Sequence, residues 1–222
     1  MVKERPILFS GPMVQAILDG RKTMTRRVIT RVSGYKELIV ANSISSPQTA
    51  LNEYPNYRRL FASLCPYGVP GDRLWVREAH NWMTLAENEY DAGCPAHRRH
   101  PDGYPVHVLY RATPDWQPPS WRPSIFMPRW ASRIALEVTA VRVEQVQDIS
   151  EEDARAEGVV PTEGQINVCQ AFAECRPDLP YVSPHQQAFC ELWDSINAKR
   201  GYGWSVNPWV WVVTFRRLDS AI

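Results

Sequence analysis

The residues best suited to chemistry lie together near the start of the chain: Gly20, Arg21, Lys22, Thr23, Met24, Thr25, Arg26 and Arg27. A threonine hydroxyl is a weak nucleophile until a neighbouring base takes its proton. A lysine amine is such a base when burial and nearby cations disfavour its charged form. Lys22 and Thr25 stand in a Lys-x-x-Thr arrangement with Arg21 and Arg26 beside them, which brings these residue types together in one short segment. Backbone N–H groups near Gly20, or a guanidinium such as Arg26, are candidate donors to an oxyanion. The same basic cluster, extended by Arg31, also suits a phosphate. The plain structural alternative is a solvated basic face, with Lys22 in a surface ion pair and Thr25 filling a sheet position.

Two elements must position these groups. Pro12 suits the first turn of a helix, Ser10 or Gly11 can cap it, and Met13, Val14, Ile17 and Leu18 recur at helical spacing to give one apolar face. Gly20 ends this helix, because it adopts the left-handed conformation without a side-chain penalty. Residues 21–29 then read as extended. A period of two puts Thr23, Thr25 and Arg27 on one side and Lys22, Met24 and Arg26 on the other, so a bend near Lys22 is needed to bring its amine toward Thr25.

The chain has 222 residues and a formal net charge of +1, which fits one sizeable domain and gives no bulk attraction for nucleic acid. Nine tryptophans and nineteen prolines imply rigid loops pinned by aromatic side chains. The five cysteines are an odd, widely spaced set, which argues against a disulfide scaffold. No long apolar run and no basic-then-apolar leader is present, so a soluble, cytoplasmic protein without a membrane partner is expected.

Further along, Leu38–Ala41 reads as a strand, residues 45–56 as loop, and the run from Tyr57 to Gly68 as another strand. Pro70–Asp72 makes a turn into a strand through Leu74, Trp75 and Val76. Residues 79–127 read as a long excursion in which only Val106–Arg111 is a clear strand. From Ser132 a long, bent strand runs through Ile134, Leu136, Val138, Val141, Val143 and Val146. Ser150 caps a short acidic helix that Gly158 stops. Residues 159–183 read as loop, Pro184–Ala198 as a helix with Phe189, Leu192, Trp193 and Ile196 at helical spacing, and residues 209–218 as a last strand with Trp209 or Trp211 pointing outward.

Four of these pieces, taken in order, resemble the ASCH superfamily, small β-barrels similar to the PUA RNA-binding fold. They are the segment GRKTMTRR at 20–27, the strand entry from Pro70 to Val76, the long strand with its following acidic helix (Arg133–Val146, Ile149–Gly158), and the final strand at 209–217. The resemblance implies an α+β fold: a PUA-like mixed β-barrel with short flanking helices, a single domain over 1–222 with proline- and tryptophan-rich insertions at 32–62, 79–127 and 159–183. Compact members of the family are amidohydrolases that remove the acetyl group from acetylcytidine, giving cytidine and acetate without a cofactor. Their catalytic Lys, Thr and Glu correspond to Lys22, Thr25 and Glu157, with Glu151 and Glu152 as alternative carboxylates on the same helix. Arg26, Arg27 and the insertions depart from the compact pattern. The structural alternative for Glu157 is charge compensation within its helix.

A modified nucleoside or RNA is the expected partner. Gly20, Arg21, Arg26, Arg27 and Arg77 are candidate contacts to it, and Trp75, Trp82 or Tyr110 candidate stacking platforms. An RNA-binding module without catalysis is the second account. A ribonuclease ranks last, because His80, His97, His100, His107 and His185 form no recognisable acid–base pair. Cys94, His97 and His100, with Cys65 as a fourth ligand, make a conceivable zinc set, but their loop spacing is poor evidence and no metal is expected.

Overall fold

The computed structural model describes residues 2–30, 47–94, 96–175 and 182–218. Its strands are β1 (Glu4–Leu8), β2 (Met24–Val28), β3 (Arg73–Arg77), β4 (His80–Thr84), β5 (His97–Arg99), β6 (Pro105–Tyr110), β7 (Ala135–Gln145) and β8 (Trp209–Arg217). Its α-helices are α1 (Gly11–Leu18), α2 (Pro47–Glu53), α3 (Arg58–Ser63), α4 (Glu151–Ala156), α5 (Glu163–Cys175) and α6 (Pro184–Asn197). The fold class is α+β. The strands form one mixed sheet in the order β1-β3-β7-β8-β2 and one antiparallel sheet in the order β4-β6-β5. Among the described residues no closed barrel is formed.

The chain divides into two compact units: residues 1–20, 70–139 and 215–222, and residues 21–69 and 140–214. In the first, β1 runs parallel to β3, with Pro6 opposite Trp75, and β3 pairs antiparallel with the start of β7, Leu74 opposite Leu136. The strand entry is a turn at Gly71, whose φ of 91° favours glycine. Asp72 anchors it by accepting from the Lys3 backbone N–H at 3.0 Å and pairing with Arg5 at 2.6 Å. The small sheet has its own core of Val106, Val108, Tyr110, Met127 and Ala131.

In the second unit β2 pairs antiparallel with β8, Thr25 opposite Val213 and Arg26 opposite Val212. Met24, Val146, Ile149, Ala154, Phe189, Trp193, Val210 and Val212 form the core behind that ladder. Ser150 caps α4 by accepting from the Asp153 N–H at 3.1 Å, and Gly158, at φ 82°, follows its end, as the acidic helix and its glycine stop require.

Several expectations are corrected. Residues 47–53 are helix α2 rather than loop, and residues 58–63 are helix α3 rather than strand. Both helices cover β8: the Trp209 indole donates to the Asn52 side chain at 2.6 Å, and the Trp211 indole to the Phe61 carbonyl at 3.1 Å. Both tryptophans are therefore buried, since a strand covered on both faces needs no outward apolar position. The excursion at 79–127 holds three strands, its polar and proline-rich stretches having hidden the pairing of β4 and β5 with β6. Residues 163–175 form helix α5 where a loop was expected. Ile196 is exposed, on the outer side of α6. The strand expected at Leu38–Ala41 lies outside the described residues. No helix among the described residues is long and apolar enough to cross a membrane.

Candidate active site

Lys22, Thr25, Arg26, Arg27 and Glu157 all belong to the second unit. Strand β2 begins only at Met24, so Lys22 lies on an extended lead-in that crosses the end of α4. There the Thr23 N–H donates to the Ala156 carbonyl at 2.9 Å, and Arg21 donates to the Gly158 carbonyl at 3.0 Å. The carbonyl end of a helix favours cations. Lys22 supplies one, its amine donating to the Glu157 carbonyl at 2.8 Å, to the Met24 carbonyl at 2.8 Å and to Glu157 Oε2 at 2.7 Å.

Lys22 and Glu157 are 2% and 4% exposed, so this is a buried ion pair rather than a surface one. Burial pushes the Lys22 amine below its ordinary range, Glu157 opposes that shift, and Arg27 and Arg26 add to it. The direction is the one a lysine base requires.

Thr25 is 3% exposed on β2. The Lys22 amine is bound to the Met24 carbonyl and to Glu157, while Thr25 stands on β2 opposite Val213. Met24 and Arg26 share one side of β2 as expected, the Arg26 guanidinium reaching the Met24 sulfur at 3.5 Å, and Met24, Thr25 and Arg26 are all buried because both faces of the strand are covered.

Arg26 is committed to carboxylates. Its Nη2 lies 2.5 Å from Glu144 Oε1 and 2.6 Å from Asp153 Oδ2, and its Nη1 lies 3.3 Å from Glu157 Oε1. Arg142 joins the cluster through Glu144 Oε2 at 2.9 Å and through Asp153. Three cations, Lys22, Arg26 and Arg142, therefore face three carboxylates, Glu144, Asp153 and Glu157. Desolvation lowers the Arg26 pKa, but the carboxylates outweigh it and hold the group above its ordinary value. Arg26 is thereby a support for Glu157 and not a donor kept open for phosphate or an oxyanion. Glu144 and Arg142 escaped the reading of the sequence. The available signal was their i, i+2 placement on one face of β7.

Arg27 lies opposite Trp211 in the ladder, and burial lowers its pKa. Gly20, at φ 75°, ends α1 in the first unit. Trp75 and Arg77 are on β3 of that unit, with the Arg77 guanidinium 4.7 Å from the Trp75 ring centre. The Arg122 guanidinium lies 3.8 Å from the Trp82 ring centre, and the His80 ring stacks on Trp82 at 5.6 Å. Tyr110 is a core residue whose hydroxyl donates to the Ala131 carbonyl at 2.9 Å. Among the described residues no group of His, Cys, Asp and Glu has the geometry of a metal site. His97 instead accepts the Asp91 N–H and packs against His107.

Comparison with family models, with curated proteins and with solved structures finds no match in any of the three.

Proposed function

We propose that the chain is an ASCH-type amidohydrolase on a PUA-like fold, removing the acyl group of an acylated cytidine, with acetylcytidine giving cytidine and acetate. The observation that carries this reading is the buried Lys22 to Glu157 pair at 2.7 Å, on the lead-in to the strand that holds Thr25. Two residues 135 positions apart form it, and burying both ions has a desolvation cost that a purely structural pair need not incur.

Proton transfer within the pair gives a neutral amine and a carboxylic acid, the two forms that acyl transfer uses. The Lys22 amine exchanges a carbonyl partner for the Thr25 hydroxyl and takes its proton as the Thr25 oxygen bonds to the acyl carbon. The bond from that carbon to the cytidine nitrogen breaks, and the nitrogen receives the Glu157 proton. Lys22 then passes its proton to Glu157 and, neutral again, takes one from the water that attacks the acyl-threonine; Glu157 returns its proton to the departing Thr25 oxygen, and the released acid ionises to the carboxylate. Arg26 holds Glu157 in place throughout. A modified nucleoside, free or in RNA, is the substrate class.

The test is incubation with acetylcytidine and chromatographic measurement of cytidine and acetate. Wild-type protein is expected to release both in equal amounts, and folded Lys22→Met, Thr25→Val and Glu157→Gln proteins neither. Binding of acetylcytidine and cytidine with equal, weak affinity and no product would overturn the assignment.

A further inference from the structure

A second concavity in the same unit is unlike the charged cluster. It has a volume of 170 Å³ and is walled by Gln48, Asn52, Gln145, Asn207, Tyr202 and Trp209, with no formally charged side chain among its lining residues. Cavities of about 150 Å³ hold one benzene-sized ring, so the volume of this one matches a single ring.

Its carboxamides are fixed in orientation by backbone and indole partners. Gln48 donates to the Ile29 and Trp209 carbonyls, both at 3.0 Å, and accepts the Trp209 N–H at 2.6 Å. Asn52 accepts the Trp209 indole at 2.6 Å, which assigns its oxygen and leaves its amide nitrogen as donor. Asn207 accepts the Gln147 N–H at 3.0 Å, again leaving Nδ2. Gln145 donates to the Asn207 carbonyl at 3.4 Å, leaving Oε1 as acceptor. The remaining atoms are two amide donors, Asn52 Nδ2 and Asn207 Nδ2, and one amide acceptor, Gln145 Oε1.

Trp209 provides an apolar wall, and the Arg58 guanidinium 4.5 Å from its ring centre fixes the indole. Asn207 sits at φ 49°, a conformation that asparagine and aspartate tolerate better than other side chains. A polar, uncharged wall beside an aromatic one selects a ligand that is planar, neutral and able both to donate and to accept.

We propose that this cavity is a ligand site for a neutral single-ring heterocycle with an amide edge, of the pyrimidinone or pyridine-carboxamide class. The ring packs on Trp209, its carbonyl oxygens accept from Asn52 and Asn207, and its N–H donates to Gln145. The site is separate from the Lys22 and Glu157 pair and does not depend on the reaction proposed there.

Isothermal titration with uracil tests it, with 1,3-dimethyluracil, which lacks N–H donors, as control. Uracil is expected to bind and dimethyluracil not. Gln145→Leu removes the acceptor, and Asn207→Asp removes the donor while keeping the oxygen that holds Gln147. Each is expected to weaken uracil about tenfold, as loss of one hydrogen bond implies, with an unchanged melting temperature confirming the fold. Lys22→Met is expected to leave uracil binding intact. No uracil binding to the wild type, affinity unchanged in both cavity variants, or loss only in Lys22→Met would each overturn the proposal.

Discussion

Lys22 and Arg26 hold the same carboxylate by different oxygens: Lys22 takes Glu157 Oε2 at 2.7 Å and Arg26 takes Oε1 at 3.3 Å. The carboxylate plane is thus fixed from two sides, and removing either cation leaves the other in place. What differs is the remainder, because Arg26 also serves Glu144 and Asp153.

Arg26→Gln leaves those three carboxylates without their shared guanidinium. Breaking a buried charge arrangement by removing one partner costs about 3–5 kcal/mol, and a loss of that size is expected in urea unfolding. Arg26→Lys restores the charge but not the planar fork, so it should recover only part of the loss. A variant as stable as the wild type would show that the cluster is solvated.

The Lys22 amine gives a pH dependence with a definite sign. Its folded pKa lies below the ordinary 10.5, so between those two values the unfolded chain binds more protons than the folded one. Stability contributed by Lys22 therefore rises with pH through that window. Compared across pH in urea melts, wild-type protein is expected to gain on Lys22→Met as pH rises toward 10.5. Under the proposed reaction the rate should fall in the same window, because a pair that has lost its proton to solvent has none left for Glu157 to give the leaving nitrogen.

Local features were legible in the sequence: Ser150 and Gly158 bracket α4 with recognisable cap chemistry, as expected, and Lys22 lies on the lead-in to the strand that carries Thr25. The partners of Arg26 were not legible. Glu144 on β7 and Asp153 on α4 are 118 and 127 positions away, so only folding brings them together. The misread segments share another cause. In α2, α3 and α5 proline, polar and aromatic residues disguise helical spacing. Around β4 and β5 the pairing with β6 that defines the strands is invisible in short windows.

Ser150→Ala removes the hydroxyl that accepts the Asp153 N–H. Loss of such a cap costs about 1 kcal/mol. Because α4 carries Asp153 within it and Glu157 at its end, the expected result is a modest drop in urea midpoint with faster hydrogen exchange at Ala154 and Glu157.

Tyr110 illustrates the opposite sign to Lys22. Burial raises its pKa from 10.0 to about 12, so above pH 10 the unfolded chain releases a proton that the folded one retains, and stability falls with pH in that interval. Tyr110→Phe is expected to lose about 1 kcal/mol at neutral pH with its hydrogen bond to Ala131. The same variant should flatten the alkaline fall, and tyrosinate absorbance followed alongside unfolding checks both.

The pairing of β2 with β8 also sets a timetable. Thr25 meets Val213, and at about 5–20 residues per second of synthesis the first of these waits on the order of 10–40 s for the second to be made. During that interval the nascent chain holds a strand edge with no permanent neighbour, beside the lysine and arginines that later find their carboxylates. A basic, unpaired edge repels its own copies on neighbouring ribosomes, so the charges that end in a buried cluster can first serve to keep the unfinished chain apart from its siblings.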